Sequence, residues 1–477
     1  MNNRIKIGFM ALGHAYFWDN YWPWLEESAL YWTEKYKEYL SQFGEICDIG
    51  KLVDSPERGD EAAKYFNEQH IDVVIMVTIT YSTPDDVLLA LKELHKPIIL
   101  WMTAASPTIP PDLKFDRSKD RYPHHDKTWF WEHGACGTPG ILSLMEMEKM
   151  NYFFIAGHRD SESVKESFRS VLNAVYCAKR LWGARIGQVG HLFPGMIDFG
   201  HDPTQMFSTF GVTQVPILDW VFSEAFEEIE QKDIDAMAAE VKKRYTIAHE
   251  FQGKEFDNSM RLIYALRRMI KEKKLDALTM YCQSLWNNKR IGVVPCLGMS
   301  MLMEEGVFFS CEGDVPTALS GLIMHHFGAR PIFTEIWLSD FEKNQFNMGH
   351  SGTMNLGYFE NTKDVQVKRH PWWDGRCGRG ACVDVAKMPH GEVTMLGITA
   401  IEGNKWRMIA SRAQVVDRPP LDLGCANFFL QPEKTLEDFI RDWGRSSAGH
   451  HLAMCYGDWL KDIEVLAKLL GVQYTRI

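Results

Sequence analysis

The sequence predicts an α/β protein: two doubly wound parallel-sheet (Rossmann-like) domains followed by a C-terminal β-rich, barrel-like domain. Three observations carry this. The first 182 residues alternate short apolar runs with amphipathic stretches, the rhythm of βαβ units that build parallel sheets. A second unit of the same kind follows Gly183. From about Arg330 the helical spacing gives way to strand-like alternation. The expected boundaries are 1–182, 183–330 and 331–477.

In the first unit, Ile5–Leu12 reads as a strand, and Trp24–Phe43 has helical spacing, with Leu25, Ala29, Trp32, Tyr36 and Leu40 on one face. Ile46–Val53 is strand-like and Asp60–Gln69 helical. Ile71–Val77 is a continuous apolar run, as expected of a strand buried on both faces. Thr83-Pro84-Asp85-Asp86 opens a helix: Thr83 can cap it, Pro84 suits its first position and the acids favour its dipole. Pro97–Met102 is the next strand. Ala105 to Gly140 breaks the rhythm with prolines, charges and aromatics, a long loop region of the kind that usually serves function or an interface. The helix Ser161–Trp182 closes the unit.

The second unit starts with the strand Ala184–Gly190 and the turn Phe193-Pro194-Gly195-Met196. A short strand, Val215–Leu218, precedes helices over Trp220–Gln231, Asp233–Tyr245 and Glu255–Lys273. Leu275–Cys282 and Val307–Cys311 read as strands, and Asp314-Val315-Pro316 starts a helix running to His326. In the third unit, Glu392–Ile401 and Lys405–Val415 form a hairpin across Glu402-Gly403-Asn404. Helices around Thr435–Trp443 and Asp458–Leu470 end the chain.

Composition narrows the function classes. The 477 residues are 45% hydrophobic and 24% charged, the balance of a soluble globular protein of several domains. A net charge of −11 argues against nucleic acid and anionic membrane as partners and favours a small polar substrate. No run reaches the ~18 apolar residues of a membrane span. The first apolar run is short and reads as a strand rather than a signal peptide. Ten scattered cysteines, several inside strand patterns, read as reduced thiols of a cytoplasmic protein. Cys377 and Cys382 lie close together, but no second pair completes zinc-site spacing.

The residues most able to carry chemistry stand at expected turns and strand ends. Glu312 follows a buried strand in Ser310-Cys311-Glu312-Gly313-Asp314, at the carboxyl edge where open α/β sheets place ligands. A glutamate there must be hydrated, paired or bound to a cation. Glu335 interrupts the apolar strand Pro331–Leu338. His350 follows Gly349. His450 and His451 follow Gly449, and adjacent histidines usually diverge, so at most one of them is a ligand. Two carboxylates and two imidazoles form a mixed oxygen/nitrogen set suited to a divalent ion such as Mn²⁺, with room for a substrate's oxygens.

The motifs resemble those of the L-arabinose/L-fucose isomerase superfamily, on the arabinose isomerase side. The likeness is patchy but runs nearly end to end: the opening Gly8 to Trp18, Ile155-Ala156-Gly157-His158, the Phe193 to Met196 turn followed by Asp198, Cys311-Glu312-Gly313-Asp314, the strand holding Glu335, Met348-Gly349-His350 and Gly449-His450-His451. Tyr456-Gly457-Asp458 and Leu466 to Gly471 resemble divergent members. The resemblance implies three domains, a homo-oligomer (trimer or hexamer) and an active site at the subunit interface. It implies that Glu312, Glu335, His350 and His451 bind Mn²⁺, or alternatively Co²⁺ or Mg²⁺, and that Glu312 and Glu335 double as the acid/base pair. Thr103 to Pro107 and Phe130–Gly140 depart from the family pattern, so the far end of the substrate is open: a pentose, a deoxyhexose or a C6-substituted hexose.

The expected function is aldose–ketose isomerisation, proton transfer between C1 and C2 of an open-chain sugar through an enediol(ate). Two carboxylates beside one cation stay ionised near neutrality because the cation offsets their repulsion. His14, Tyr81, His133, His158 and His191 are candidates for hydrogen bonds to sugar hydroxyls. Trp18 and Trp101 read as core more than as sugar platforms, and His124-His125 and His325-His326 as surface and helix-end histidines. The alternatives are a non-catalytic sugar-binding protein and an epimerase using the same metal site. A nicotinamide dehydrogenase is disfavoured, because Ile7 to Gly13 lacks the G-x-G-x-x-G spacing.

Overall fold

A computed structural model describes residues 5–109, 134–287, 290–372, 380–385, 387–403 and 405–477. The chain divides into two compact units, Met1–Lys179 and Arg180–Ile477.

The first unit is built on five parallel strands: β1 (Lys6–Leu12), β2 (Glu45–Cys47), β3 (Val73–Thr78), β4 (Ile98–Met102) and β5 (Tyr152–Ala156), in the order β2-β1-β3-β4-β5. Every residue of β3 is buried, as its unbroken apolar run requires. The strand expected over Ile46–Val53 is only three residues long. The Asp48 side chain accepts the Gly50 N–H and Gly50 takes φ +67°, so a tight turn ends the ladder. The helix at Pro84–Glu93 has the expected cap: Asp86 accepts both the Thr83 N–H (2.7 Å) and the Thr83 hydroxyl (2.9 Å). A helix over Thr138–Met147 starts inside the stretch read as loop, and residues 110–133 of that stretch lie outside the described residues. Trp101 is fully buried against Tyr36, Tyr39 and Phe168, so it is core.

The strands of the second unit are β6 (Arg185–Val189), β7 (Thr213–Ile217), β8 (Thr246–Ile247), β9 (Ala277–Met280), β10 (Phe308–Cys311), β11 (Ile332–Asp340), β12 (Gln345–Gly349), β13 (Val365–Arg369), β14 (Ala381–Val385), β15 (Gly391–Ile401), β16 (Lys405–Val415), β17 (Asn427–Pro432), β18 (His451–Tyr456) and β19 (Gln473–Arg476). Four form a parallel sheet in the order β10-β9-β6-β7. Seven form the β-rich part in the order β15-β18-β11-β12-β17-β16-β19. Because β15 also pairs with β16 along its whole length, six antiparallel strands close on themselves as a barrel, and β19 adds in parallel to β16. The expected β15–β16 hairpin is therefore the seam of the barrel. A small ribbon, β14-β13-β8, completes the unit.

The helix Val315–His326 joins the two layers of this unit, packing against β9 and β10 on one side and against β15 and β18 on the other. It is apolar all round, as a helix covered on every face must be. Its last residue departs from the surface reading: His326 is only 8% exposed, and among the described residues its Nε2 has no hydrogen-bond partner.

Burial, followed by the nearby His325 and Arg180, lowers the His326 pKa to about 3, and burial lowers that of His370 to about 4. The unfolded imidazoles protonate near pH 6.5. Below that pH the unfolded chain binds protons that the folded chain refuses, so stability falls as pH falls from about 6.5 toward these values. Urea melts at pH 7 and pH 5 are expected to show the lower midpoint at pH 5. His326→Leu should shrink the difference by up to roughly 1.4 kcal/mol per pH unit. An unaltered difference in His326→Leu would show that His326 does not protonate on unfolding.

Candidate active site

Barrel register places three of the four principal candidates. In the ladder, Glu335 of β11 lies opposite His451 of β18 on one side and opposite Gly349 of β12 on the other. His350 follows Gly349 directly. One row across three neighbouring strands thus holds Gly349, Glu335 and His451, with His350 one residue past the end of β12. His350 and His451 are 4% and 2% exposed, with ring centroids 5.3 Å apart, and Phe333 packs on both at 4.5 and 4.8 Å. The Phe199 ring stacks on His451 at 4.9 Å.

Glu312 comes from the parallel sheet. It follows β10 in a left-handed conformation, φ +64°, and Gly313 continues at φ +79°. A non-glycine residue there is strained, a state usually retained at functional positions. Gly313 is required twice over: its φ disfavours a side chain, and a Cβ would lie 2.4 Å from the His191 carbonyl oxygen. The Phe193 N–H donates to the Glu312 carbonyl at 2.9 Å and pins the turn. The next residue, Asp314, is 1% exposed and caps the helix Val315–His326, accepting the Thr317 N–H (2.9 Å) and hydroxyl (2.6 Å). Its other contact is His451 Nδ1, at 3.0 Å.

These elements bring Glu312, His350 and His451 together: one ligand-type atom from each lies within 4.8 Å of the others. Glu335 forms a second, overlapping group with His450 and His451. His451 Nε2 stands 3.6 Å from Glu312 Oε2. Among the described residues, Glu312 Oε2, His350 Nδ1 and His451 Nε2 are buried without hydrogen-bond partners. Orphaned polar atoms of this kind cost free energy unless something binds them. Two imidazole nitrogens and a carboxylate oxygen fit a divalent cation of the Mn²⁺ class. His450 is more open, with its side chain 42% exposed and Nδ1 3.7 Å from Asp198.

Three of the four candidates, Glu312, Glu335 and His451, have a hydrogen-bond partner on another atom. Gln283 Nε2–H points to Glu312 Oε1 at 3.4 Å, the Trp337 indole N–H donates to Glu335 Oε1 at 2.9 Å, and Asp314 holds His451 Nδ1. Burial raises the Glu312 carboxyl pKa and lifts that of Glu335 to about 7; for Glu335 the Trp337 hydrogen bond opposes the shift and the Glu312 charge adds to it. Burial lifts Asp314 to about 6. It also holds His350 and His451 well below the usual imidazole range, so both rings are neutral and able to ligate.

The secondary candidates are dispersed. His191 belongs to the Glu312 turn: its ring lies 4.7 Å from Tyr281 and its Nδ1 2.6 Å from the Leu192 carbonyl. His14, Tyr81 and His158 belong to the first unit. His14 Nδ1 lies 3.1 Å from both oxygens of Asp86, with Tyr81 edge-on at 6.4 Å. His158 sits past β5, with Nδ1 3.4 Å from Asp160. His133 lies outside the described residues. Sequence reasoning missed Asp314, Gln283 and Trp337. Only Asp314 carried a signal, as an acid three residues before Thr317 at a helix start.

Residues 203–329 match the family model of the L-arabinose isomerase central domain. A sulfoquinovose isomerase of Priestia aryabhattai is 20% identical over 407 residues, 84% of this chain and 85% of that protein. A sulfoquinovose isomerase of Clostridium sp. (strain MSTE9) is 22% identical over 71% of this chain and 74% of that protein. An L-arabinose isomerase of Aeromonas hydrophila is 21% identical over 68% of this chain and 66% of that protein.

Asp314→Asn tests the geometry. The amide keeps the shape of the carboxylate but cannot accept through both oxygens. Calorimetric titration of the metal-stripped variant with Mn²⁺ should show affinity about 10–100-fold weaker than that of the natural chain. Unchanged affinity would remove Asp314 from the support of His451.

Proposed function

The chain belongs, at low identity, to the arabinose isomerase-like superfamily, and from that premise we propose that it is a divalent-metal-dependent aldose–ketose isomerase. The observation that carries the metal reading is the meeting of three buried donor atoms without partners among the described residues, Glu312 Oε2, His350 Nδ1 and His451 Nε2, with Glu335 adjoining through His451.

Glu312, Glu335, His350 and His451 are the residues that would hold the ion. An ion of the Mn²⁺ class held there supplies Lewis-acid stabilisation of the charge that develops across O1 and O2 of the open-chain sugar. The two glutamates divide the proton traffic: one carboxylate takes the proton from carbon and the other serves the hydroxyls. The Phe199 and Phe333 rings pack against the imidazoles and restrict water around them.

The substrate is an open-chain aldose: a pentose, a deoxyhexose or a C6-substituted hexose. Two of the relatives described above are named for sulfoquinovose and match 84% and 71% of the chain, which supports the C6-substituted class. In this reading the protein works as a homo-oligomer in the cytoplasm.

An aldose panel run with added Mn²⁺, including C6-modified hexoses, is expected to yield a ketose from one member by proton NMR. Inversion at C2 without ketose would identify an epimerase instead. Glu312→Gln and Glu335→Gln should each lower kcat about 10²–10⁴-fold. With C2-deuterated sugar, the variant lacking the carbon base should also lose solvent exchange. Retention of exchange in both variants would overturn the assignment.

A further inference from the structure

Trp337 is unexpected beside the site. It lies two residues beyond Glu335 on β11, where the pairing with β12 slips: Ile336 faces Met348 and Leu338 faces Asn347, so Trp337 itself has no partner in the ladder. Such a bulge redirects a side chain, and bulges gather next to active sites. Here the indole turns back along the strand and donates its N–H to Glu335 Oε1 at 2.9 Å.

Gly349 makes room for the ring. It sits opposite Glu335 in the ladder, and a Cβ added to it would lie 2.5 Å from Trp337 Cη2, 2.7 Å from Cζ3 and 2.9 Å from Cζ2. Its φ is not in the left-handed region, so packing alone accounts for the glycine. On the far side the Trp372 ring contacts Trp337 at 5.2 Å, tilted by 56°, while the Trp372 indole N–H is committed to the Leu423 carbonyl. The indole is therefore held by the bulge, by the gap at Gly349 and by Trp372, and its only polar atom is spent on Glu335.

We propose that Trp337 is the positioning residue of Glu335, with the bulge and Gly349 as the device that aims it. One carboxylate oxygen is tied to the indole N–H, so the other alone is offered to the metal and the sugar. A carboxylate free to rotate could chelate with both oxygens or turn away, and neither arrangement leaves one oxygen fixed over the reacting carbon. The inference rests on the metal-dependent reading of the site.

Four proteins test it: the natural chain, Trp337→Phe (ring without donor), Trp337→His (ring with donor) and Gly349→Ala (indole retained but displaced). Each is stripped of metal and titrated calorimetrically with Mn²⁺, then assayed at saturating Mn²⁺. A parallel set labelled with 5-fluorotryptophan reports the broadening of the Trp337 fluorine resonance, assigned by its absence from Trp337→Phe. Expected are Mn²⁺ affinities about 10–100-fold weaker in Trp337→Phe and Gly349→Ala, with partial recovery in Trp337→His. Mn²⁺ should broaden the Trp337 resonance of the natural chain, and kcat should fall more than KM rises in the two weakened variants. Natural-strength Mn²⁺ binding in both Trp337→Phe and Gly349→Ala, whatever their melting temperatures, would overturn the positioning role and leave the metal site standing. Failure of the natural chain itself to bind Mn²⁺, Co²⁺ or Mg²⁺ stoichiometrically would overturn the functional reading, and this inference with it.

Discussion

The site depends on one buried carboxylate. Asp314 ends the turn after β10, caps the helix Val315–His326 through Thr317 and reaches across to His451 at the start of β18. One side chain thus ties the parallel sheet, the connecting helix and the barrel. An ionised carboxylate 1% exposed is costly unless its oxygens are satisfied. Here they accept a backbone N–H, a hydroxyl and an imidazole N–H. The last of these fixes the tautomer: with Nδ1 donating, His451 Nε2 keeps its lone pair and faces Glu312. Without that contact, the donors supplied by the sheet and by the barrel would have no common reference.

The strain at Glu312 is the counterpart of this tie. The chain leaves β10 and must enter a helix within three residues while aiming the Glu312 side chain toward the barrel. Two successive left-handed residues achieve this, and the Phe193 N–H and the Asp314 cap hold the turn. The barrel needs no such strain. Its row of Gly349, Glu335 and His451, with His350 just past it, is a consequence of register, and a slip by one residue would send every member of one strand to the opposite face. A strained turn therefore meets a rigid, register-locked surface, and the precision of the site is inherited from the barrel.

Much of this was legible in the sequence. The βαβ rhythm, the β15–β16 hairpin and the Asp314-Val315-Pro316 helix start are local signals that burial reinforces, so they survive folding. Glu312 was recognisable because an acid ending a buried strand needs a reason, and Glu335 because it interrupts an apolar run. What stayed hidden is non-local. A barrel-like domain was expected, but which edges pair to close it was not, because β15 offers no mark that it meets both β16 and β18. His326 looked like a surface residue because helix ends usually are, yet this helix is covered by both layers. Trp337 could not be read at all: a bulge is a mismatch between two strands, and neither strand carries it alone. The short β2 is the reverse case, where an Asp48–Gly50 turn overrode a run of suitable composition.

The three supports share one design. Gln283 on Glu312, Trp337 on Glu335 and Asp314 on His451 each occupy one polar atom of a donor. For Glu312 and His451, and for His350 Nδ1, the atom left over is buried without a partner among the described residues. A buried polar atom without a partner costs on the order of 1–3 kcal/mol. Three in one place form an expense that folding alone does not recover, and a chain selected only for stability would replace them with apolar side chains at little loss. Their gathering beside a strained turn supports a binding role for the site. Burial keeps the His350 and His451 rings neutral and raises the Glu312 and Glu335 carboxyls, and a dication held there would offset the desolvation that shifts the carboxylates. The same supports also orient the side chains that would hold such an ion.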